Sequence, residues 1–324
     1  MASCVPVHGP AIAENTEEVC ANCGKGANDN VKLKNCNACF LVKYCSVDCQ
    51  KTHRKQHKKA CRQRAAELKD EKLYGQGHER PEEDFCPLCL LAIPFTVDEH
   101  CTHSSFYSCC MKTVCNGCGL AGLKRGLGPA CPFCRAAPSK NDEEIFARFQ
   151  KRVAAKDPEA LYRLGNDHFN GSLELVEKNE SRAIELWSEA AELGSTKALF
   201  KMGVAYYSGI GVPLDEAKGI RCLESAAMQG DTDSRHMLGT MEFENKKYDR
   251  AVRHFLISAK MGYKDSLDRI KDMFASGRAT KAQYAGALKG YQSAVQEMRS
   301  PERDDAATFN ECRCQDKKMR IRKS

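Results

Sequence analysis

Cysteines paired with two residues between them crowd the first 134 residues of this chain, and they limit what it can fold into more than any other feature. There are 20 cysteines in 324 residues, and all but three precede residue 135. Clustered thiols of this kind close either disulfides or metal sites. The N-terminal stretch Met1 to Val19 lacks an apolar core and carries Glu14, Glu17 and Glu18, so no signal peptide is visible. The longest apolar run, Leu88 to Phe95, is broken by Cys89 and Pro94 and is too short to cross a bilayer. These features predict a reducing compartment, cytoplasm or nucleus, no membrane partner, and metal in place of disulfides.

The chain is long enough for two or three units, while its 42% hydrophobic content supports one core of ordinary size. Metal must therefore hold some of the rest. The formal charge of +7 counts cysteine as neutral. Four Zn²⁺ bound by 15 thiolates and one imidazole bring the total to zero, leaving basic character only at Lys51 to Arg64 and in the tail Lys317 to Lys323. Neither cysteine cluster has the layout of a DNA-reading finger, so the balance points away from nucleic acid.

In the first cluster Cys20-x2-Cys23, Cys36-x2-Cys39, Cys45-x3-Cys49 and His57-x3-Cys61 supply eight ligands, enough for two tetrahedral Zn²⁺ sites with no open position. Closed sites are structural. Cys-x2-Cys brings two thiolates of one turn to one metal; the x3 spacings put both ligands on one helix face, a turn apart. His53, one turn before His57 on that face, competes with it for the histidine position. The order of ligands resembles the MYND zinc finger throughout. That resemblance implies interleaved pairing, with Cys20, Cys23, Cys45 and Cys49 on one zinc and Cys36, Cys39, His57 and Cys61 on the other. It also implies a protein-interaction module whose peptide groove includes Gln50; Arg54 stands where the family has a tryptophan. With Lys51, Lys55, Lys58 and Lys59 around it, this groove is expected to favour acidic peptides over neutral proline-rich ones.

The second cluster reads Cys86-x2-Cys89, Cys109-Cys110, Cys115-x2-Cys118 and Cys131-x2-Cys134. It is similar to an all-cysteine variant of the RING finger, which implies Cys86, Cys89, Cys115 and Cys118 on one zinc and the middle pair with Cys131 and Cys134 on the other. Where the usual RING has a histidine this chain has Lys112, which cannot bind zinc while protonated. Cys109 and Cys110 supply the missing thiolates, with Cys101 and His103 as a rival pair. The resemblance further implies docking of a ubiquitin-conjugating enzyme by Leu88, Pro132 and Arg135. No tryptophan occurs between Cys118 and Cys131; Leu127 or Leu120 is left to form that wall of the groove.

Beyond residue 156 the chain repeats itself. Ala160-Leu161-x2-Leu164-Gly165 recurs as Ala198-Leu199-x2-Met202-Gly203 and as Ser234-x3-Leu238-Gly239. In a second block Trp187, Leu223 and Phe255 each stand four residues before Ala191, Ala227 or Ala259, on one helical stripe, and each block closes at Gly194, Gly230 or Gly262. A closing glycine suits a left-handed cap. Units of 32 to 38 residues thus form helix pairs, with the large side chains expected to fill the gap to the next pair. The pattern resembles the SEL-type repeat, a relative of the tetratricopeptide repeat, over about 157 to 298. It implies a protein-binding α-solenoid, and Trp187, His168, His236 and His254 are expected to serve packing or surface roles.

The fold class expected is two small zinc-stabilised cross-brace modules followed by an all-α solenoid of helix-pair repeats. The boundaries are a disordered N-terminus 1–18, a MYND-like finger 19–62, a charged helix and linker 63–84, a RING-like finger 85–137, a linker 138–156, the solenoid 157–298 and a basic disordered tail 299–324. This combination resembles proteins of diatoms and related algae. Its expected function is a zinc-binding protein-interaction scaffold, with a ubiquitin ligase as the alternative. Cys4, Cys101, Cys222, Cys312 and Cys314 take no assigned role.

Overall fold

The computed structural model describes residues 19–28, 30–95, 103–171 and 176–309. The expected disordered N-terminus, Cys101 of the rival ligand pair, and residues 310–324 of the expected tail lie outside them. The chain divides into two compact units, the first ending at Leu73 and the second beginning at Tyr74.

In the first unit two short antiparallel strands, β1 (Lys34–Asn35) and β2 (Lys43–Tyr44), pair Lys34 with Tyr44 and Asn35 with Lys43. The turn between them carries Cys36 and Cys39. Helix α1 (Val47–Gly75) follows and supplies the ligands after Cys45. The buried cluster here is Cys20, Cys36, Cys39 and Tyr44. A core made largely of thiols has too little apolar area to order this loop-rich segment by burial alone. The helix does not stop at the expected finger boundary after residue 62. Its charges continue it, with Arg64 pairing to Glu67 at 3.2 Å and to Glu71 at 2.7 Å, until Gly75 ends it.

The second unit begins with a strap over 76–85, then a hairpin of β3 (Ser104–Tyr107) and β4 (Lys112–Cys115), paired antiparallel with Ser104 opposite Cys115. Cys109 and Cys110 sit in its turn. Helix α2 (Asn116–Lys124) starts on Cys115, whose Sγ accepts the Cys118 N–H at 3.5 Å. The expected linker 138–156 contains instead a capped helix, α3 (Asp142–Ala154), because Asn141 accepts the Glu144 N–H and Phe149 is buried with Met111 and Ala160.

Eight helices then follow: α4 (Pro158–Asn170), α5 (Glu180–Glu192), α6 (Thr196–Ser208), α7 (Glu216–Met228), α8 (Thr232–Glu244), α9 (Tyr248–Lys260), α10 (Lys264–Ala275) and α11 (Lys281–Glu297). Asp157, Asn179, Ser195, Asp215, Asp231 and Thr280 cap six of them by side-chain hydrogen bonds. Gly194, Gly230 and Gly262 turn the chain between pairs at φ 95°, 92° and 92°. Packing within a pair is glycine against a large side chain. A Cβ on Gly165 would fall 2.6 Å from the Trp187 indole, one on Gly203 2.7 Å from Leu223, and one on Gly239 2.7 Å from Phe255. The large residues thus close their own pair first, which corrects the expectation that they fill the gap to the next pair. Trp187 also packs in one cluster with Ala198 and Met202 of the following pair.

The chain after Met298 also differs from expectation. Residues 301–309 are helical, and Arg303 anchors them near the second cysteine cluster. No helix among the described residues is long and apolar enough to cross a membrane.

Candidate metal centres

Three of the Cys-x2-Cys turns that close on a non-helical residue share one device. The residue four after the first cysteine donates its N–H back to that cysteine's carbonyl: Phe40 to Cys36 at 2.9 Å, Leu90 to Cys86 at 2.9 Å and Arg135 to Cys131 at 2.8 Å. Each of these residues has positive φ, 56°, 59° and 62°. Gly24 does the same for Cys20 without a side chain. The tight turn points both sulfurs inward while its own backbone N–H groups face the first sulfur.

The structure gathers the ligand atoms into four tetrads, each with all atoms within 4.8 Å of one another: Cys20, Cys23, Cys45 and Cys49; Cys36, Cys39, His57 and Cys61; Cys86, Cys89, Cys115 and Cys118; and Cys109, Cys110, Cys131 and Cys134. Pairing is interleaved in both fingers. Sulfur separations run from 3.3 Å for Cys134 and Cys109 to 3.8 Å for Cys110 and Cys131, with Cys23 and Cys45 at 3.5 Å and Cys89 and Cys115 at 3.7 Å. Zn–S bonds of about 2.3 Å in a tetrahedron give an edge of about 3.8 Å. A disulfide, at about 2.05 Å, is far shorter. Fifteen thiol sulfurs and one imidazole, arranged four to a site with no open position, fit Zn²⁺, and the tetrads are consistent with binding it.

His57 Nε2 lies 3.1 Å from Cys39 Sγ. His53 is placed otherwise: its Nδ1 is 3.1 Å from the Tyr44 hydroxyl, and its ring stacks on His57 at 5.8 Å. Tyr44, a buried residue that spacing rules do not single out, thus takes up the competing histidine. Among the described residues His103, of the rival pair, joins no tetrad; its carbonyl accepts the Asn116 N–H at 2.9 Å.

Electrostatics within the tetrads favour thiolate at one sulfur and thiol at another. Burial opposes ionisation of Cys20 and Cys36, but backbone N–H groups, joined at Cys36 by the His57 side chain, outweigh it and bring both to about 6. The hydrogen bond from Cys115 brings Cys86 to about 4 against the cost of burial. Hydrogen bonds to Cys23 and Cys49 push Cys45 up to about 12. Protons and metal compete for the same sulfurs, so zinc uptake releases protons.

On the second finger Leu88, Pro132 and Arg135 line one groove of about 550 Å³, together with Leu127, Ser300 and Glu302. Leu120 lines an adjoining depression. On the first finger Gln50 and Arg54 are both exposed on α1, a turn apart, as are Lys51, Lys55, Lys58 and Lys59. Large apolar side chains face solvent on both fingers: Phe40, Leu41 and Val47 on one, Leu88, Leu90 and Phe133 on the other.

Comparison with known proteins bears on both halves. Residues 20–61 match the MYND finger family, and residues 158–195, 196–231 and 235–263 match the Sel1 repeat. A stretch of 123 residues is 29% identical to DAP3-binding cell death enhancer 1 of Rattus norvegicus, covering 37% of this chain and 24% of that protein. The chain thus spans about a quarter of that relative's length. Among solved structures it is similar to a Sel1 repeat protein from Oxalobacter formigenes, with 23% identity and a TM-score of 0.42 over 50% of this chain and 66% of that one. It is also similar to c5321, a protective antigen of uropathogenic Escherichia coli displaying an SLR fold, with 22% identity and a TM-score of 0.43 over 55% of this chain and 40% of that one. The chain carries zinc-binding cysteine clusters at its N-terminal side followed by an all-helical Sel1-type solenoid. MYND fingers and Sel1 repeats generally mediate protein–protein interaction, which supports a zinc-binding interaction scaffold.

Proposed function

We propose that the sixteen gathered side chains hold four structural Zn²⁺ ions, and that the fingers and solenoid bind proteins or peptides. The observation carrying this is the combination of closed tetrads with apolar side chains held in solvent at strained positions. Phe40 is 62% and Leu90 75% exposed, both at positive φ. A left-handed L-residue costs about 1–2 kcal/mol where glycine would cost little. Keeping a large apolar group there suits contact with a partner. On the first finger, exposed Arg54 and its lysine neighbours favour acidic peptides around Gln50. A peptide array probed with the zinc-loaded full chain tests this: acidic hits that weaken in Arg54→Ala support it, and hits confined to neutral proline-rich peptides count against it.

A second reading rests on the groove. Leu88, Pro132 and Arg135 share one lining, as a RING-like surface for a ubiquitin-conjugating enzyme requires. The finger would then position the thioester for attack by a substrate lysine and contribute no nucleophile. Discharge of ubiquitin-charged conjugating enzymes, followed beside Leu88→Ala and Arg135→Ala variants that retain four zinc ions, separates the readings. Discharge lost in both variants identifies a ligase; no discharge with any conjugating enzyme leaves a scaffold.

A further inference from the structure

The Cys86, Cys89, Cys115 and Cys118 tetrad is the one drawn deepest into the protein at Cys86 and Cys115, both 1% exposed or less. Four thiolates around one Zn²⁺ leave two net negative charges, which burial penalises unless donors or cations face them. Backbone N–H groups of Cys115 and Cys118 supply two donors, to Cys86 and Cys115 Sγ, each at 3.5 Å. A cation comes from the far end of the chain. Arg303 Nη2 lies 3.5 Å from Cys89 Sγ, 214 residues away in sequence.

The same guanidinium fixes the loop that follows the Cys86-x2-Cys89 turn. Its Nη2 donates to the Leu91 carbonyl at 3.0 Å, and its Nη1 to the Ala92 and Met298 carbonyls at 2.6 Å each. The next carbonyl, Ile93, accepts from Arg80 Nη1 at 2.7 Å. These carbonyls directly follow Leu90, the strained residue that closes the turn, and a planar fork can hold two of them while facing the sulfur. A second, independent observation lies on the other ligand pair. A Cβ on Gly117, between Cys115 and Cys118, would fall 2.8 Å from the Arg303 backbone nitrogen and 2.9 Å from its Cγ. Backbone therefore meets backbone there, and glycine permits it. The nearby Lys124–Asp305 pair at 2.8 Å is exposed and adds little.

We infer that Arg303 completes the Cys86/Cys89/Cys115/Cys118 centre as a positioning residue, so that zinc retention in the second finger depends on the segment after the solenoid. Its charge offsets the thiolates and its fork fixes the ligand loop. The inference rests on the reading that this tetrad holds zinc. Loss of a group that orients metal ligands typically costs about 10–100-fold in metal affinity.

The test uses the full chain loaded with zinc. Release to a competing chelator is followed with a colorimetric zinc reporter, and cysteine alkylation read by mass spectrometry assigns each phase to a tetrad. In Arg303→Gln, release from Cys86/Cys89/Cys115/Cys118 is expected to quicken about 10–100-fold while the other three tetrads keep their rates. Arg303→Lys, which keeps the charge and loses the fork, is expected to fall between. Unchanged release from this tetrad, or equal acceleration of all four, overturns the inference while leaving the zinc reading intact. A parent chain that holds no zinc at this tetrad overturns both. Where Arg303→Gln does not yield folded protein, judged by the circular dichroism of the helices, Arg303→Lys decides by the same criterion.

Discussion

At Gly165 the absence of one carbon sets the spacing of a helix pair. Trp187 is fully buried against it, and an added Cβ would sit 2.6 Å from the indole. Gly165→Ala is expected to lower stability by about 1–3 kcal/mol, the cost of overpacking outweighing a helix-propensity gain of about 1 kcal/mol. Gly286, in α11, has nothing within 4 Å of a built Cβ. There Gly286→Ala is expected to stabilise by up to about 1 kcal/mol. Thermal melts of the two variants should move in opposite directions.

Asp231 offers a test by pH. It caps α8 through the Ser234 N–H at 2.7 Å, and burial, then the charge of Asp233, push its carboxyl up to about 7. The folded state then keeps a proton that the unfolded chain has released. The stability this contributes is whole below about pH 4 and is lost as pH rises through about 7. His254 acts with the opposite sign: burial and then Arg235 and Arg250 hold it down to about 3, so its contribution is lost as pH falls below about 6.5. The two oppose each other, so the informative quantity is a difference between variants. Asp231→Asn keeps the cap, and its stability relative to the parent is expected to grow by up to about 2 kcal/mol between about pH 5.5 and 7.5. Denaturant titrations showing a constant difference would count against a neutral Asp231.

At the scale of elements, the repeat helices are set by short-range chemistry. Caps and closing glycines lie within one turn of the helix ends they define and the apolar stripes recur every three or four residues, which is why the three repeated blocks could be read from spacing. α11 closes the array with a capping box, Thr280 accepting the Gln283 N–H at 3.2 Å and Gln283 Oε1 accepting the Thr280 N–H at 2.8 Å. Thr280→Ala is expected to cost about 1 kcal/mol and to raise amide exchange in α11 more than in α5 or α7. α3 was less legible. Ile145, Phe149 and Val153 do stand four residues apart behind the Asn141 cap, so a helix is encoded locally, but the burial of Phe149 depends on Phe106 of β3, whose ring stacks on it at 6.1 Å, and on the Met111 and Ala160 cluster. No local spacing announces such a partner.

At the scale of the molecule, two kinds of core coexist. The fingers bury thiols, and the solenoid buries aliphatic and aromatic side chains. Stripping the metal with a strong chelator is therefore expected to unfold the fingers while most far-UV helical signal from α4 to α11 survives; a single cooperative loss of all structure would contradict this separation. The tetrads themselves were legible because ligand spacing is a local geometric requirement: a turn or one helical turn must present two donors to one point. The sequence places His57 in the ligand set with His53 as its competitor; the structure gathers His57 with the three thiols and sets His53 against the Tyr44 hydroxyl.

What the sequence alone determined was the set of local devices: knuckles, capped helices, and small residues facing large ones. These depend on neighbours a few residues apart, so order along the chain is enough to encode them. Only the tertiary structure decided which distant groups share a site. Arg303 beside Cys89, Gly230 against the Glu79 carbonyl, and Lys197 paired to Asp84 at 3.2 Å join segments more than a hundred residues apart. Such contacts follow from how the whole chain closes on itself, and no local spacing carries that information.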